Sequence, residues 1–229
     1  MSRLLAASII GVMLSSAGCA WLQDRRDENK GVQLQSLRAP DGYRVSVLAT
    51  ELPKARHMAI GARGTLFVGS MAGNVYALTL NGGALMGQRT LLKGLTDPSG
   101  VAFRDGSLFV ADRTRILRFD DIEQRLDNPG APVTVVDGLG MRFDTSAKTS
   151  ADTSMIVARH GSHPPERIGY DVVRVRLQAN MPPKMEPFLT GFLQGRSYWG
   201  RPVDVLMMAD GSVLISDDLN GVIYRVTRS

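Results

Sequence analysis

One phrase is written three times in this chain. Gly64-Thr-Leu-Phe-Val-Gly69 is followed by Gly73-Asn-Val-Tyr-Ala-Leu78, Gly106-Ser-Leu-Phe-Val-Ala111 by Arg115-Ile-Leu-Arg-Phe119, and Gly211-Ser-Val-Leu-Ile-Ser216 by Gly221-Val-Ile-Tyr-Arg-Val226. Each reads as a short apolar strand, a tight turn and a second strand. A hairpin of this size cannot bury both of its faces alone, so copies must stack. Gly64 and Gly106 stand 42 residues apart, close to the period of roughly 40 residues expected of a β-propeller blade. Gly106 and Gly211 stand 105 apart, about two and a half such steps. The pattern predicts an all-β propeller with about four blade-like units.

A pass along the chain fills in the units. Tyr43 to Ala49 alternates and predicts a strand. Leu66–Ser70 and Asn74–Leu80 predict the first clear hairpin, which Arg89–Lys93 completes. The second unit takes Gly100–Phe103, Ser107–Asp112, Arg115–Phe119 and Val133–Asp137; the last takes Val203–Met208, Val213–Asp217 and Val222–Thr227. Asp105-Gly106 and Asp210-Gly211 are hairpin-turn dipeptides, because glycine accepts a positive φ without steric cost. Between the second and last units, Met155–Arg159, Asp171–Leu177 and Pro187–Phe192 supply only three strands. The polar stretch from Arg142 to Ser154 precedes them and reads as a loop or disordered joint, placed near 140–154. An exposed sheet edge there would favour association, so oligomerisation through open blade edges is an expectation.

The beginning of the chain reads differently. Arg3 precedes an apolar run from Leu4 to Leu14, too short to span a bilayer. Ser16-Ala17-Gly18-Cys19 then resembles a bacterial lipobox, with Ser16 where an aliphatic residue is usual. This predicts a lipoprotein signal peptide over 1–18, lipidation at Cys19 and a charged tether over 19–41 before a domain at 42–229. Ala20 follows the cysteine, and by resemblance to Gram-negative lipoproteins this implies the periplasmic side of the outer membrane. Cys19 is the only cysteine, which excludes a disulfide framework within the chain. The net charge of +5 is scattered, with no Lys/Arg run and no interleaved aromatic platform, so nucleic acid is not an expected partner.

More specific phrases occupy the last third. His160-Gly-Ser162, Gly169-Tyr-Asp-Val-Val-Arg-Val175, Trp199-Gly-Arg-Pro-Val-Asp-Val205, Asp210-Gly-Ser212 and Ser216-Asp-Asp218 resemble the sorbosone dehydrogenase family. Leu52-Pro53 and Ala55-Arg-His-Met-Ala59 extend the resemblance into the first half. These are relatives of soluble aldose dehydrogenases that use pyrroloquinoline quinone (PQQ). The resemblance implies a six-bladed propeller of the quinoprotein sugar dehydrogenase type, with PQQ and calcium over its tunnel. It also implies a histidine base that receives a sugar hydroxyl proton while hydride moves to the quinone. The stretch where the family places that histidine holds none here before His160, and the calcium loops have no counterpart. The chain therefore reads as incomplete relative to six blades, with the middle ones missing.

By the same resemblance, Arg201 and Arg167 are the candidate cofactor contacts. PQQ carries three carboxylates, and a planar guanidinium can pair bidentately with one. For Arg201 the plainer role is a hydrogen bond to Asp204 or a turn carbonyl. His57 precedes Met58 at a strand start and reads as a rim residue or a satisfied hydrogen-bond donor. His160 and His163 have an i, i+3 spacing that can suit a metal, but they fall on a loop without an evident third ligand. Asp217 and Asp218 end a strand near the expected tunnel mouth, where they can hold a cation, polarise a hydroxyl or simply close the following turn. Two functions follow: a PQQ-dependent dehydrogenase of an aldose or related sugar aldehyde with impaired activity, or a non-catalytic, lipid-anchored binding or scaffold module.

Overall fold

The computed structural model describes residues 31–137, 147–149, 154–162, 168–178 and 181–229. They form strands and loops, with two short 3-10 turns at Leu34–Ser36 and Ile122–Gln124 and no α-helix among the described residues. The first strand, β1 (Tyr43–Ala49), is followed by a sheet of β2 (Ala55–Ile60), β3 (Thr65–Ser70), β4 (Val75–Asn81) and β5 (Ala84–Leu92). A second sheet holds β6 (Gly100–Arg104), β7 (Ser107–Asp112), β8 (Arg115–Phe119) and β9 (Val133–Val136). A third holds β10 (Ala147–Thr149), β11 (Ser154–Arg159), β12 (Asp171–Gln178) and β13 (Met181–Leu189). A two-stranded ribbon, β14 (Leu193–Gln194) and β15 (Ser197–Tyr198), leads to β16 (Pro202–Met207), β17 (Val213–Asp217) and β18 (Val222–Arg228). β1 then pairs antiparallel with β18, so the last sheet takes its outer strand from the opposite end of the domain.

The three repeated hairpins are therefore β3–β4, β7–β8 and β17–β18, as the phrase predicts. At Asp105-Gly106 both residues have positive φ, 49° and 79°, which matches the turn twist a two-residue hairpin loop needs. The apolar residues of β3 alternate between two interfaces. Leu66 and Val68 pack with Leu214 and Ile223 of the last sheet, while Phe67 packs with Leu108 and Val110 of the second. A strand buried on both faces needs apolar residues at successive positions, and that is what Leu-Phe-Val supplies. Val205, Ile215 and Tyr224 of the last sheet join Ile156, Val172 and Phe188 of the third. The sheets thus pack in the order second, first, last, third. Among the described residues no apolar cluster joins the second sheet to the third.

Two expectations are corrected. The polar joint carries a strand: β10 pairs with β11 and brings the third sheet to four strands. Its pairing is made by backbone groups, which carry no apolar signature. The tether also ends earlier than 41. Leu37 is buried in the cluster between the third and last sheets, and Arg38 and Thr190 exchange backbone hydrogen bonds. Residues 1–30, with Cys19, lie outside the described residues.

Packing between the first and second sheets is tight at Gly69. A Cβ there would stand 2.3 Å from the Ser99 carbonyl oxygen and 2.7 Å from that of Pro98. Those oxygens accept from the backbone N–H groups of His57 and Ser70 at 3.3 and 3.0 Å, so they cannot retreat without losing bonds. Gly69→Ala is expected to lower unfolding stability by about 1–3 kcal/mol, as overpacking does. Gly87→Ala, where a Cβ meets nothing within 4 Å, is the control and should leave the urea midpoint unchanged or slightly raised.

Candidate functional site

Each repeated hairpin ends its first strand on a buried polar residue that holds the following turn. Ser70 Oγ accepts from Ala72 N–H at 2.9 Å and donates to Pro53 O at 2.6 Å. Asp112 accepts from the Arg115 guanidinium at 2.9 and 2.7 Å and from Thr96 N–H. Asp217 occupies the equivalent place in the last sheet and is fully buried. Its Oδ1 accepts from the N–H groups of Arg201, Leu219 and Asn220 at 3.0, 2.9 and 3.3 Å; its Oδ2 accepts from Asn220 Nδ2 at 2.8 Å and Tyr224 OH at 3.0 Å. Burial pushes the Asp217 carboxyl up, opposed by these donors. Burial and the adjacent Asp217 charge push the Tyr224 hydroxyl up as well. With both oxygens committed, Asp217 closes a turn and has no lone pair directed at a ligand or a cation.

Asp218, one residue further, faces a different environment. Its side chain is 7% exposed and meets Arg56 and His160, with Arg201 behind the imidazole, so three sheets contribute. Arg56 of β2 donates from Nη1 to Oδ2 at 3.2 Å. His160, just past β11, lies with Nε2 3.1 Å from Oδ1. Arg201, just before β16, contacts the other face of that imidazole, Nη2 to Nδ1 at 3.1 Å. Burial alone would raise the Asp218 carboxyl, but the His160 hydrogen bond and the charges of Arg201 and Arg56 outweigh it and hold it below its ordinary value. The Arg201 guanidinium lies over the Tyr198 ring at 5.9 Å, and its Nε is buried without a hydrogen-bond partner among the described residues. Beside Asp218 opens a cavity of about 260 Å³ lined by residues 51–54 and 218–221. Glu51 and Lys54 on its wall have φ of 59° and 57°, a strained conformation for residues with a side chain.

Arg56 and Arg201 stand beside Asp218 and His160 and present guanidinium groups of the kind that pair with anionic oxygens. The carboxylates of PQQ have the matching sign and shape, and Arg201 Nε is a donor left over for them. Among the described residues no group of three acidic, histidine or cysteine side chains stands ready to hold a metal ion, and the oxygens of Asp217 and Asp218 accept from donors.

The sequence candidates divide accordingly. Arg201, His160 and Asp218 come together, and Asp217 supports them from beneath through Arg201 N–H. Asp204, the sequence's plainer partner for Arg201, instead accepts from Met58 N–H at 2.8 Å. His57 is half-buried and its N–H donates to Ser99 O. Arg167 and His163 lie outside the described residues. Sequence reasoning did not single out Arg56. The signal was present: Arg56 is the second residue of β2 and Arg201 immediately precedes β16, each an edge strand of its sheet that leads into a repeated hairpin.

Several comparisons bear on this arrangement. No protein-family profile matches the chain. An uncharacterized protein of Borreliella burgdorferi is 36% identical over 76 residues, covering 31% of this chain and 20% of that protein. The chain thus matches about a fifth of that relative's length. The PQQ domain of Coprinopsis cinerea pyranose dehydrogenase, solved in its holo form, has a TM-score of 0.69 at 12% identity, covering 84% of this chain and 97% of that one. A Trichoderma reesei carbohydrate-active enzyme of family AA12 has TM-scores of 0.68 in an iodide structure and 0.65 in a calcium structure. Both are at 12% identity and cover 88% of this chain, with 100% and 99% of the other. The fold is that of the PQQ-type β-propellers; at this identity the likeness extends to fold alone.

The low Asp218 value has a consequence for stability. A carboxylate whose folded-state pKa is depressed contributes stability above its unfolded value and loses it as pH falls through the folded one. Wild type should therefore exceed Asp218→Asn in urea midpoint near neutral pH, and the gap should close below the ordinary carboxyl value of 3.8. A gap constant down to strongly acidic pH would refute the ionised pairing.

Proposed function

We propose that this chain is a quinoprotein-type propeller whose Arg201–His160–Arg56 cluster binds a carboxylated quinone of the PQQ class. The observation that carries the proposal is the linked chain Arg56–Asp218–His160–Arg201 assembled from three sheets, with Arg201 Nε left without a partner among the described residues. When bound, such a group accepts a hydride from an alcohol or a hydrated aldehyde. Arg201 and Arg56 would hold its carboxylates, and Asp217 would fix the Arg201 backbone. The resemblance to sorbosone dehydrogenases points to an aldose or related sugar aldehyde as the oxidised substrate. A second reading, a binding module of the same ancestry, is favoured by the lack of histidine in the family's base segment.

Titration of the purified chain with PQQ, followed by calorimetry, tests the first reading. Arg201→Ala should weaken binding about tenfold or more, since hydrogen bonds to charged groups are worth about 1.5–3 kcal/mol. Equal affinity of both proteins would remove the cofactor role of Arg201. Dye-linked oxidation of aldoses, with PQQ and calcium added, should stay near background in both. Robust turnover by wild type would instead favour a working dehydrogenase.

For location, we propose attachment to the periplasmic side of the outer membrane through lipid on Cys19. The lipobox-like Ser16-Ala17-Gly18-Cys19 supports this reading. Two or more acyl chains give stable anchoring where one does not. In a Gram-negative host, Cys19→Ala should abolish incorporation of labelled fatty acid and release the protein from membranes. Uptake of no label by wild type would end the proposal.

A further inference from the structure

The contact between Arg201 and His160 fixes more than position. A guanidinium has donors only, so the nitrogen it faces must present a lone pair. His160 Nδ1 is therefore the acceptor, and Nε2 carries the hydrogen that goes to Asp218 Oδ1. The far side of Asp218 is held by Arg56, so carboxylate and imidazole are braced as one unit. The backbone beneath His160 is confined too: Gly161 has φ 105°, and a Cβ there would come within 2.4 Å of the Tyr170 ring. Tyr170 in turn donates to Ser162 O at 2.8 Å.

Arg201 is the loosely committed member. Its partner is a neutral ring nitrogen, the weaker kind of acceptor for a guanidinium, and its Nε has none among the described residues. The His160 side chain is 32% exposed, so a ligand can reach the contact. Among the described residues the charged groups around the imidazole are Asp218, Arg56 and Arg201, with the Arg159–Asp171 pair one residue back along the strand.

We propose that Arg201 is a ligand-operated cap on His160. In the free protein Arg201 Nη2 occupies the His160 lone pair. A carboxylated ligand offers the guanidinium two charged oxygens and draws it away. Nδ1 then becomes an open hydrogen-bond acceptor, still braced by Asp218, for a hydroxyl of a second ligand. By linkage, each of the two ligands tightens the other's binding. This rests on the anion-binding reading of the site, and His160 acts in it as a positioning residue.

The test is nitrogen-15 spectroscopy of histidine-labelled full-length protein, with the His160 signals assigned by their loss in His160→Gln. The probe is benzene-1,3,5-tricarboxylate, which is redox-inert, with its binding measured separately by calorimetry. Arg201→Ala leaves the backbone bond to Asp217 in place, and the His57 signal reports whether the variant is folded. The expected result is a downfield shift of His160 Nδ1, with Nε2–H retained, both in ligand-free Arg201→Ala and in wild type with the tricarboxylate. An unshifted Nδ1 in folded Arg201→Ala overturns the cap. Tricarboxylate bound by wild type with Nδ1 unmoved overturns its operation by ligand and leaves the anion site standing. No binding by calorimetry overturns the anion site and, with it, the ligand-operated step.

Discussion

The structure depends on a buried polar seam between the first and last sheets. Asp204 of β16 is fully buried and accepts from Met58 N–H of β2. Ser216 of β17, also fully buried, donates to Arg56 O at 2.7 Å and accepts from Asp204 N–H at 3.1 Å. Leaving such groups unpaired costs about 1–3 kcal/mol each, more for a charge, so the two sheets have little freedom to slide. The seam fixes β2 and β16 in register where each begins, and Arg56 and Arg201 stand at those starts. Apolar packing of Leu66 and Val68 on Leu214 and Ile223 favours contact between the sheets, but it tolerates many offsets. The directional bonds select one.

The repeated hairpins were legible in the sequence because their signal is local. Alternating faces, an Asp-Gly turn and a polar strand end are all written within a dozen residues. β10 was not legible, since a short polar strand earns its place through pairing with β11. Leu37 was taken for tether because its neighbours are charged, and its burial depends on a groove made by distant strands. The site shows the same division. Arg201, His160 and Asp218 could be nominated one at a time, but their meeting is a property of three sheets.

Asp217 and Asp218 show most sharply where sequence reading ends. They are identical neighbours, and they do opposite things. Asp217 turns inward onto five donors and becomes part of the turn; Asp218 turns toward two arginines and a histidine and becomes part of the site. Nothing in the pair itself assigns the roles. They follow from alternation at a strand end, and from which sheet lies against each face.

The order of the sheets bears on how the site is held. The sheets pack as second, first, last and third, and the polar joint near 140–154 falls in sequence between the second and third, the pair that no described apolar cluster unites. Arg56, Arg201, Asp218 and His160 belong to the first, last and third sheets, which pack in unbroken sequence. The seam of Asp204 and Ser216 ties the first sheet to the last at Met58 and Arg56, so the strands that position Arg56 and Arg201 are bonded to each other directly. Asp217, from the neighbouring strand, accepts from the Arg201 N–H and completes the fixing of that backbone.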